Sequence, residues 1–271
     1  MEIDFSATQV MGILNVTPDS FSDGGRYSAR DAALRQAEKM LREGAAIIDV
    51  GGESTRPGAE PVAIEDELER VLPVVESLVD ELGANVSVDT SKPAVMRAAI
   101  DAGAVMINDV LALRESGAVE VIAANNVSVC LMHMQGLPRT MQTDPQYDDV
   151  VADIIRFLDS RLDACTKAGI DRRRIVLDPG FGFGKSLAHN YEILARLDEF
   201  SALGCPLLVG MSRKSMIGNL LDLPVPERAT ASAILAALAL ERGANILRVH
   251  DVKQTMQAIR LVEALQHMRE S

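Results

Sequence analysis

The stretch RIVLDPGFGFGK, residues 174 to 185, decides how the chain is to be read. Ile175, Val176 and Leu177 form a short apolar run rich in β-branched side chains, which suits a strand, and Pro179 and Gly180 stop it. Asp178 leaves the run where the backbone turns, followed by Gly180, Gly182, Gly184 and Lys185. In parallel α/β sheets, ligands bind at the carboxyl ends of strands, on loops that a rigid sheet holds in place. An Asp that caps the next turn, with Lys185 solvated, is the other reading of this stretch taken alone.

On both sides of it, short apolar runs alternate with helical stretches. Val10 to Leu14 forms a strand ending on Asn15; a Ser/Asp/Gly-rich loop, Thr17 to Gly25, leads to a helix from about Ala29 to Glu43, with Gly44 at its C′ position. Ala45 to Ile48 runs to Asp49 and into GGESTRPG (51 to 58), and a helix rich in Glu and Leu follows. Val86 to Val88 then lead to Asp89, Val105 to Ile107 to Asn108, and Val127 to Met132 to His133. Pro206 to Val209 lead to Gly210 and on through Met211, Ser212, Arg213 and Lys214; Ile246 and Leu247 lead to Arg248 and His250. Gly-Ala pairs open several of these units (Gly44, Gly83, Gly103, Gly243), as reuse of one βα unit would leave them. Eight such units with nothing left over predict an α/β fold, a closed (β/α)8 (TIM) barrel, as a single domain over residues 1–271.

Composition excludes several classes. Apolar residues make up 48% of the chain and Trp is absent, so a large aliphatic core is expected. A net charge of −12 argues against nucleic acid, whose phosphates need a basic face. No run is long enough to span a membrane, and MEIDFSATQ lacks the basic and apolar regions of a leader, so no membrane partner is expected. Cys130, Cys165 and Cys205 are odd in number and in no metal spacing, which reads as reduced thiols and a cytoplasmic location.

Polar residues gather where the strands end: Asn15, Asp49, Asp89, Asn108, His133, Asp178, Lys214, Arg248 and His250. Any one of them suits a cap or a turn, but in a barrel all these ends converge on one mouth. Asp178, Asp89 and Asn108 offer acceptors and an amide for a flat, amino-substituted nitrogen heterocycle. Arg56, Lys214, Arg248 and His250 offer cationic donors for a phosphate or carboxylate. Asn15 suits an oxygen-liganded Mg²⁺ held against a diphosphate, whereas the four scattered His give no zinc spacing. The three glycines fit neither a dinucleotide fingerprint nor a P-loop, and Gly210 to Ser212 lacks the second glycine of a nucleophile elbow. A class I aldolase with a Schiff base on Lys214 or Lys185 and a non-catalytic binding module stand as alternatives. The stretch from Arg228 to Leu240 is nearly all Ala, Leu and Ile, more apolar surface than a barrel can cover, and predicts a homodimer.

Eight motifs in order, MGILNVTPDSFSDGG (11 to 25), IIDVGGESTRPGA (47 to 59), SVDTSKP (87 to 93), IND (107 to 109), LMHMQG (131 to 136), LDPGFGFGK (177 to 185), LVGMSRKSMIG (208 to 218) and RVHDV (248 to 252), resemble the bacterial dihydropteroate synthases over almost the whole chain. The resemblance implies a barrel that joins 6-hydroxymethyl-7,8-dihydropterin diphosphate to 4-aminobenzoate, gives 7,8-dihydropteroate and diphosphate in folate biosynthesis, and is inhibited by sulfonamides. It implies Asp89, Lys214 and Arg248 as catalytic residues and Mg²⁺ on Asn15. For the substrates it implies Asp89, Asn108, Asp178 and Lys214 at the pterin, with Asp49, Met132 and Gly210 lining the site. Thr55, Arg248 and His250, with Asn15, fall at the diphosphate, and Ser212, Thr55, Arg56, Pro57 and Phe183 at the aminobenzoate. Loops 16 to 28 and 51 to 60 are expected to order on diphosphate. One departure is visible: Ala231-Ser232 stands where the family often has Gly-Ser.

Overall fold

The computed structural model describes residues 3–5, 7–17, 26–54, 60–136, 141 and 145–270. Eight strands, all parallel to their neighbours, lie in the order β6-β5-β4-β3-β2-β1-β8-β7. They are β1 (Gln9–Asn15), β2 (Ile47–Gly51), β3 (Val86–Asp89), β4 (Met106–Asp109), β5 (Ser128–Met132), β6 (Ile175–Asp178), β7 (Leu208–Val209) and β8 (Ile246–Val249). A bridge between Leu177 and Leu207, with Leu177 N donating to Pro206 O at 2.9 Å, joins β6 to β7 and closes the ring. The (β/α)8 barrel predicted from the alternation is therefore the fold.

Nine α-helices are present among the described residues: α1 (Arg26–Glu43), α2 (Ile64–Leu82), α3 (Pro93–Asp101), α4 (Ala118–Ala123), α5 (Val150–Lys167), α6 (Leu187–Ala195), α7 (Ser215–Leu221), α8 (Ala229–Leu240) and α9 (Val252–Glu270). Two of them, α7 and α8, share the β7–β8 connection. Helix ends follow local chemistry: Asp149 caps α5 by accepting from Val151 N and Ala152 N, and Gly83 ends α2 at φ 58°. No helix among the described residues is long and apolar enough to cross a membrane.

Alternation along the strands sorts the barrel into two cores. Ile48, Val50, Val86, Val88, Ile107, Val129, Ile175, Leu177, Val209 and Leu247 belong to the large cluster between strands and helices. Met11, Ile47, Met106, Cys130, Val176, Leu208 and Ile246 form a second cluster, which fills the barrel interior and is plugged from below by Ile3 and Phe5. Two residues further along the same faces stand Asp49, Asn108, Met132, Asp178, Gly210 and Arg248. The mouth is thus the next inward layer above an apolar floor.

Several boundaries differ from the sequence reading. The second strand starts at Ile47 and runs through Asp49 to Gly51, because Asp49 pairs with Ser87 and Gly51 with Asp89 on the neighbouring strand. A charged residue can continue a strand when the adjacent ladder continues. The first strand gains Gln9 and Asn15, the first helix starts at Arg26, and the seventh strand shrinks to Leu208–Val209.

Candidate active site

The centre of the mouth is an ion cluster. Arg248, on β8, sends Nε to Asp49 Oδ2 at 2.7 Å and Nη2 to Asp89 Oδ2 at 2.8 Å, and Asn108 Nδ2 donates to the same Asp49 oxygen at 3.2 Å. Asp49 is fully buried, so it needs those partners. The other oxygens, Asp49 Oδ1 and Asp89 Oδ1, are buried and have no partner among the described residues. Burial, opposed by Arg248 and reinforced by Asp49, pushes the Asp89 carboxyl up to about 7.

Asp178 stands across the mouth from this cluster, buried at the end of β6. Its Oδ1 accepts from Gly180 N at 2.7 Å. Burial raises its pKa against the pull of Lys214, Gly180 N, Lys185 and Arg248. Lys214 donates from Nζ to Phe181 O at 2.6 Å and lies 4.5 Å from the centroid of the Phe183 ring. Burial lowers the Lys214 ammonium to about 8, although Asp178 opposes it. Gly210 leaves room beside both cations: a Cβ there would lie 3.8 Å from Lys214 Nζ and from Arg248 Cβ. Met132 joins Val110, Met134 and Met141 in a small apolar cluster against which Phe183 packs.

On the other side of Arg248, His250 N donates to Ser212 Oγ at 3.1 Å, and His250 Nδ1 lies 3.1 Å from the same oxygen. The sequence reading counted His250 among the cationic donors. Burial, with Arg248 and Arg213 nearby, instead lowers its pKa to about 4, so the free protein holds it neutral near pH 7. Ser232, the residue after the departure at Ala231, accepts from Arg213 N at 3.0 Å and so braces the loop carrying Ser212 and Lys214.

Two expectations change. His133 is not a free group at the mouth: it is buried, lies edge-on to Phe157 with ring centroids 5.0 Å apart, and has its pKa pushed down to about 2, first by burial and then by Lys185. Lys185 is not solvated either, at 3% exposure. Thr55, Arg56 and Pro57, and most of the two loops expected to order on diphosphate, lie outside the described residues. Asn15 ends β1 with its Oδ1 3.6 Å from where a Gly51 Cβ would stand.

Some supporting groups were missed. Asp109, one residue past Asn108, points outward and accepts from Leu111 N at 2.8 Å and Leu113 N at 2.6 Å, which holds the loop after β4. Lys92 bonds both Glu53 and the buried Glu67, and Arg70 Nη1 donates to Gly52 O at 3.1 Å, which secures the first residues after β2. The carboxylate of Asp109 was visible in the IND motif. Lys92 lies in the SVDTSKP motif, but Glu67 is far from it in sequence, and nothing there pairs the two.

Comparison with known proteins agrees with this geometry. Residues 11–250 match the family model described as pterin binding enzyme. The dihydropteroate synthase of Escherichia coli K12 is 54% identical over 269 residues, spanning 99% of this chain and 95% of that protein. The Yersinia pestis dihydropteroate synthase, solved with a sulfonamide drug complex, superposes with a TM-score of 0.93 at 54% identity, covering 98% of this chain and 96% of that one. The Xanthomonas albilineans dihydropteroate synthase, solved with 4-aminobenzoic acid, gives 0.92 at 50% identity, covering 97% and 95%. With an inward polar layer of this kind and near full-length similarity, the chain belongs to the pterin-binding enzymes and, among them, to the dihydropteroate synthases.

Proposed function

We propose that the mouth binds the pterin diphosphate with its ring against Asp178, Asn108 and Asp89 and its diphosphate toward Arg248, Lys214 and His250. The observation that carries this reading is the pair of buried acceptors, Asp89 Oδ1 and Asp49 Oδ1, left without partners beside Arg248. Buried oxygens of this kind call for a donor-rich ligand. The amino and ring N–H groups of a pterin supply such donors, and Met132 offers apolar contact to its faces.

The reaction breaks the bond between the pterin methylene carbon and the diphosphate oxygen, and the bonding pair leaves with diphosphate. Arg248 and Lys214 stabilise the charge that grows on the leaving oxygens. His250 contributes as a neutral donor: Ser212 Oγ–H donates to Nδ1 in the tautomer that carries its proton on Nε2, which turns that N–H toward the anion. Ionised Asp178 and Asp89 stabilise the positive charge left on the pterin. The nitrogen of 4-aminobenzoate then forms the new C–N bond and gives up one proton to solvent. No covalent bond to the enzyme is required. Ser212 and Phe183, with Thr55, Arg56 and Pro57, form the arylamine side, where sulfonamides compete.

Asn15 offers one neutral oxygen, and among the described residues no cluster of three or more His, Cys, Asp or Glu could hold a metal. A lone oxygen fits Mg²⁺, which keeps several waters and takes other ligands from a diphosphate. When bound there, Mg²⁺ supplies charge to the leaving group. Three free cysteines suit a cytoplasmic enzyme. Helix α8 exposes Ile234 and Leu238, and α9 exposes Leu261, Leu265 and Met268, a face suited to a two-fold dimer.

Diphosphate release that depends on both the pterin diphosphate and 4-aminobenzoate tests the reading. Release without the arylamine would mean a hydrolase. Lys214, with its lowered pKa, also meets one requirement of a Schiff-base lysine; borohydride-stable labelling of Lys214 by a carbonyl compound would assign it that role instead.

A further inference from the structure

Lys185 is an expensive residue for its surroundings. It is 3% exposed, and an ammonium removed from water costs far more than a methyl group of similar reach unless acceptors surround it. Its Nζ lies 3.0 Å from His133 Nδ1, 3.3 Å from His133 O and 2.9 Å from Phe183 O. Burial pushes the Lys185 amine well below its ordinary pKa, against the pull of Asp178. Two of its three acceptors belong to the segment after β5 and one to the glycine loop after β6, so one amine, with an N–H for each acceptor when protonated, spans two loops.

We propose that Lys185 is a positioning residue for the pterin end of the site, tying the end of β5 to the glycine loop so that Asp178 and Phe183 stand at fixed places. The route to Asp178 is short. A Cβ on Gly180 would lie 3.3 Å from Lys185 Nζ, and Gly180 N donates to Asp178 Oδ1 at 2.7 Å. The route to Phe183 is the carbonyl of Phe183 itself, whose ring faces Lys214. Other contacts already hold the loop in place: Tyr147 Oη donates to Gly184 O at 2.7 Å and Gly182 N to Asn190 Oδ1 at 2.7 Å. Loss of Lys185 therefore leaves the loop attached but its central residues free to shift. His133, kept neutral by burial, serves as an acceptor for the ammonium. This inference rests on the reading of Asp178 as the pterin acceptor.

The test uses the full chain with Lys185→Met, which keeps length and removes the charge. Calorimetry should show pterin diphosphate affinity falling roughly tenfold or more, and the KM for 4-aminobenzoate at saturating pterin should rise as well, because Phe183 lies on the arylamine side. The acid limb of pterin binding should also move to higher pH, because Asp178 loses one of its cations; Lys214 from the loop after β7 and Arg248 from β8 continue to face it, with neutral Cys130 on β5. A purely structural role would leave that limb in place. Should Lys185→Met fail to fold, His133→Asn, which preserves an acceptor near Nδ1, should keep pterin affinity and His133→Leu should lose it. Wild-type pterin affinity in Lys185→Met, or equal affinity in the two His133 variants, would overturn the inference. Wild-type protein that releases no diphosphate with both substrates would instead overturn the assignment of the site.

Discussion

Asp178 is the residue on which the pterin reading depends most. Asp178→Asn keeps the volume but puts an NH₂ group toward ring N–H groups, at about 1–3 kcal/mol for each buried group left unpaired. Titration calorimetry should record pterin affinity lower by roughly tenfold to a hundredfold, with circular dichroism unchanged. Unchanged affinity would remove Asp178 from the site. Asp178 on the acid side and two other groups set the pH range. Asp89 holds its proton below about 7 and offers both oxygens as acceptors, to Arg248 and to ring N–H groups together, only as the carboxylate, so pterin affinity should fall as pH drops through 7. Lys214 loses its charge above about 8, so affinity for the diphosphate-bearing ligand should fall there. Binding measured across the neutral range should peak between those values, and a flat profile would show that neither group meets the ligand. Residue type and strand-end position made Asp89, Asn108, Asp178, Lys214 and Arg248 legible in the sequence. The protonation of His250 and the burial of His133 and Lys185 were not, because they depend on neighbours from distant parts of the chain.

At the scale of elements, the glycine loop after β6 shows what spacing encodes. Gly180 has φ 74°, and a Cβ there would collide with His133 O, so two stretches of backbone pass in contact. Gly180→Ala has to pay for both the left-handed backbone and the collision, on the order of 3 kcal/mol or more. Thermal unfolding should show a fall in Tm of several degrees, with pterin affinity reduced further; an unchanged Tm would mean that the loop is held elsewhere. The sequence marked the loop by its three glycines but left open what they approach. The strands were legible as apolar runs, whereas the extent of β2 was not, since its pairing with β3 carries it past Asp49. Pattern within one segment cannot report the length of its neighbour.

The whole barrel was legible from the count of βα units, because eight parallel strands with covering helices have few other ways to bury both faces. Ile234→Glu, on the exposed face of α8, should convert a dimer to a monomer in sedimentation at micromolar concentration while leaving the helical signal intact; a wild-type monomer would leave that apolar face without its proposed role. The ring itself is unevenly stitched. Between β6 and β7 it is held by one bridge at Leu177 and Leu207, whereas β1 and β2 share five paired positions. A hoop opens at its weakest stave, and here Asp178 stands on one side of that joint with Lys214 just beyond the other. A ligand gripped by both acts as a clasp across the joint. Amide hydrogen exchange in residues 175 to 178 and 207 to 209 should therefore be the fastest among the strands of the empty enzyme and slow the most when pterin diphosphate binds.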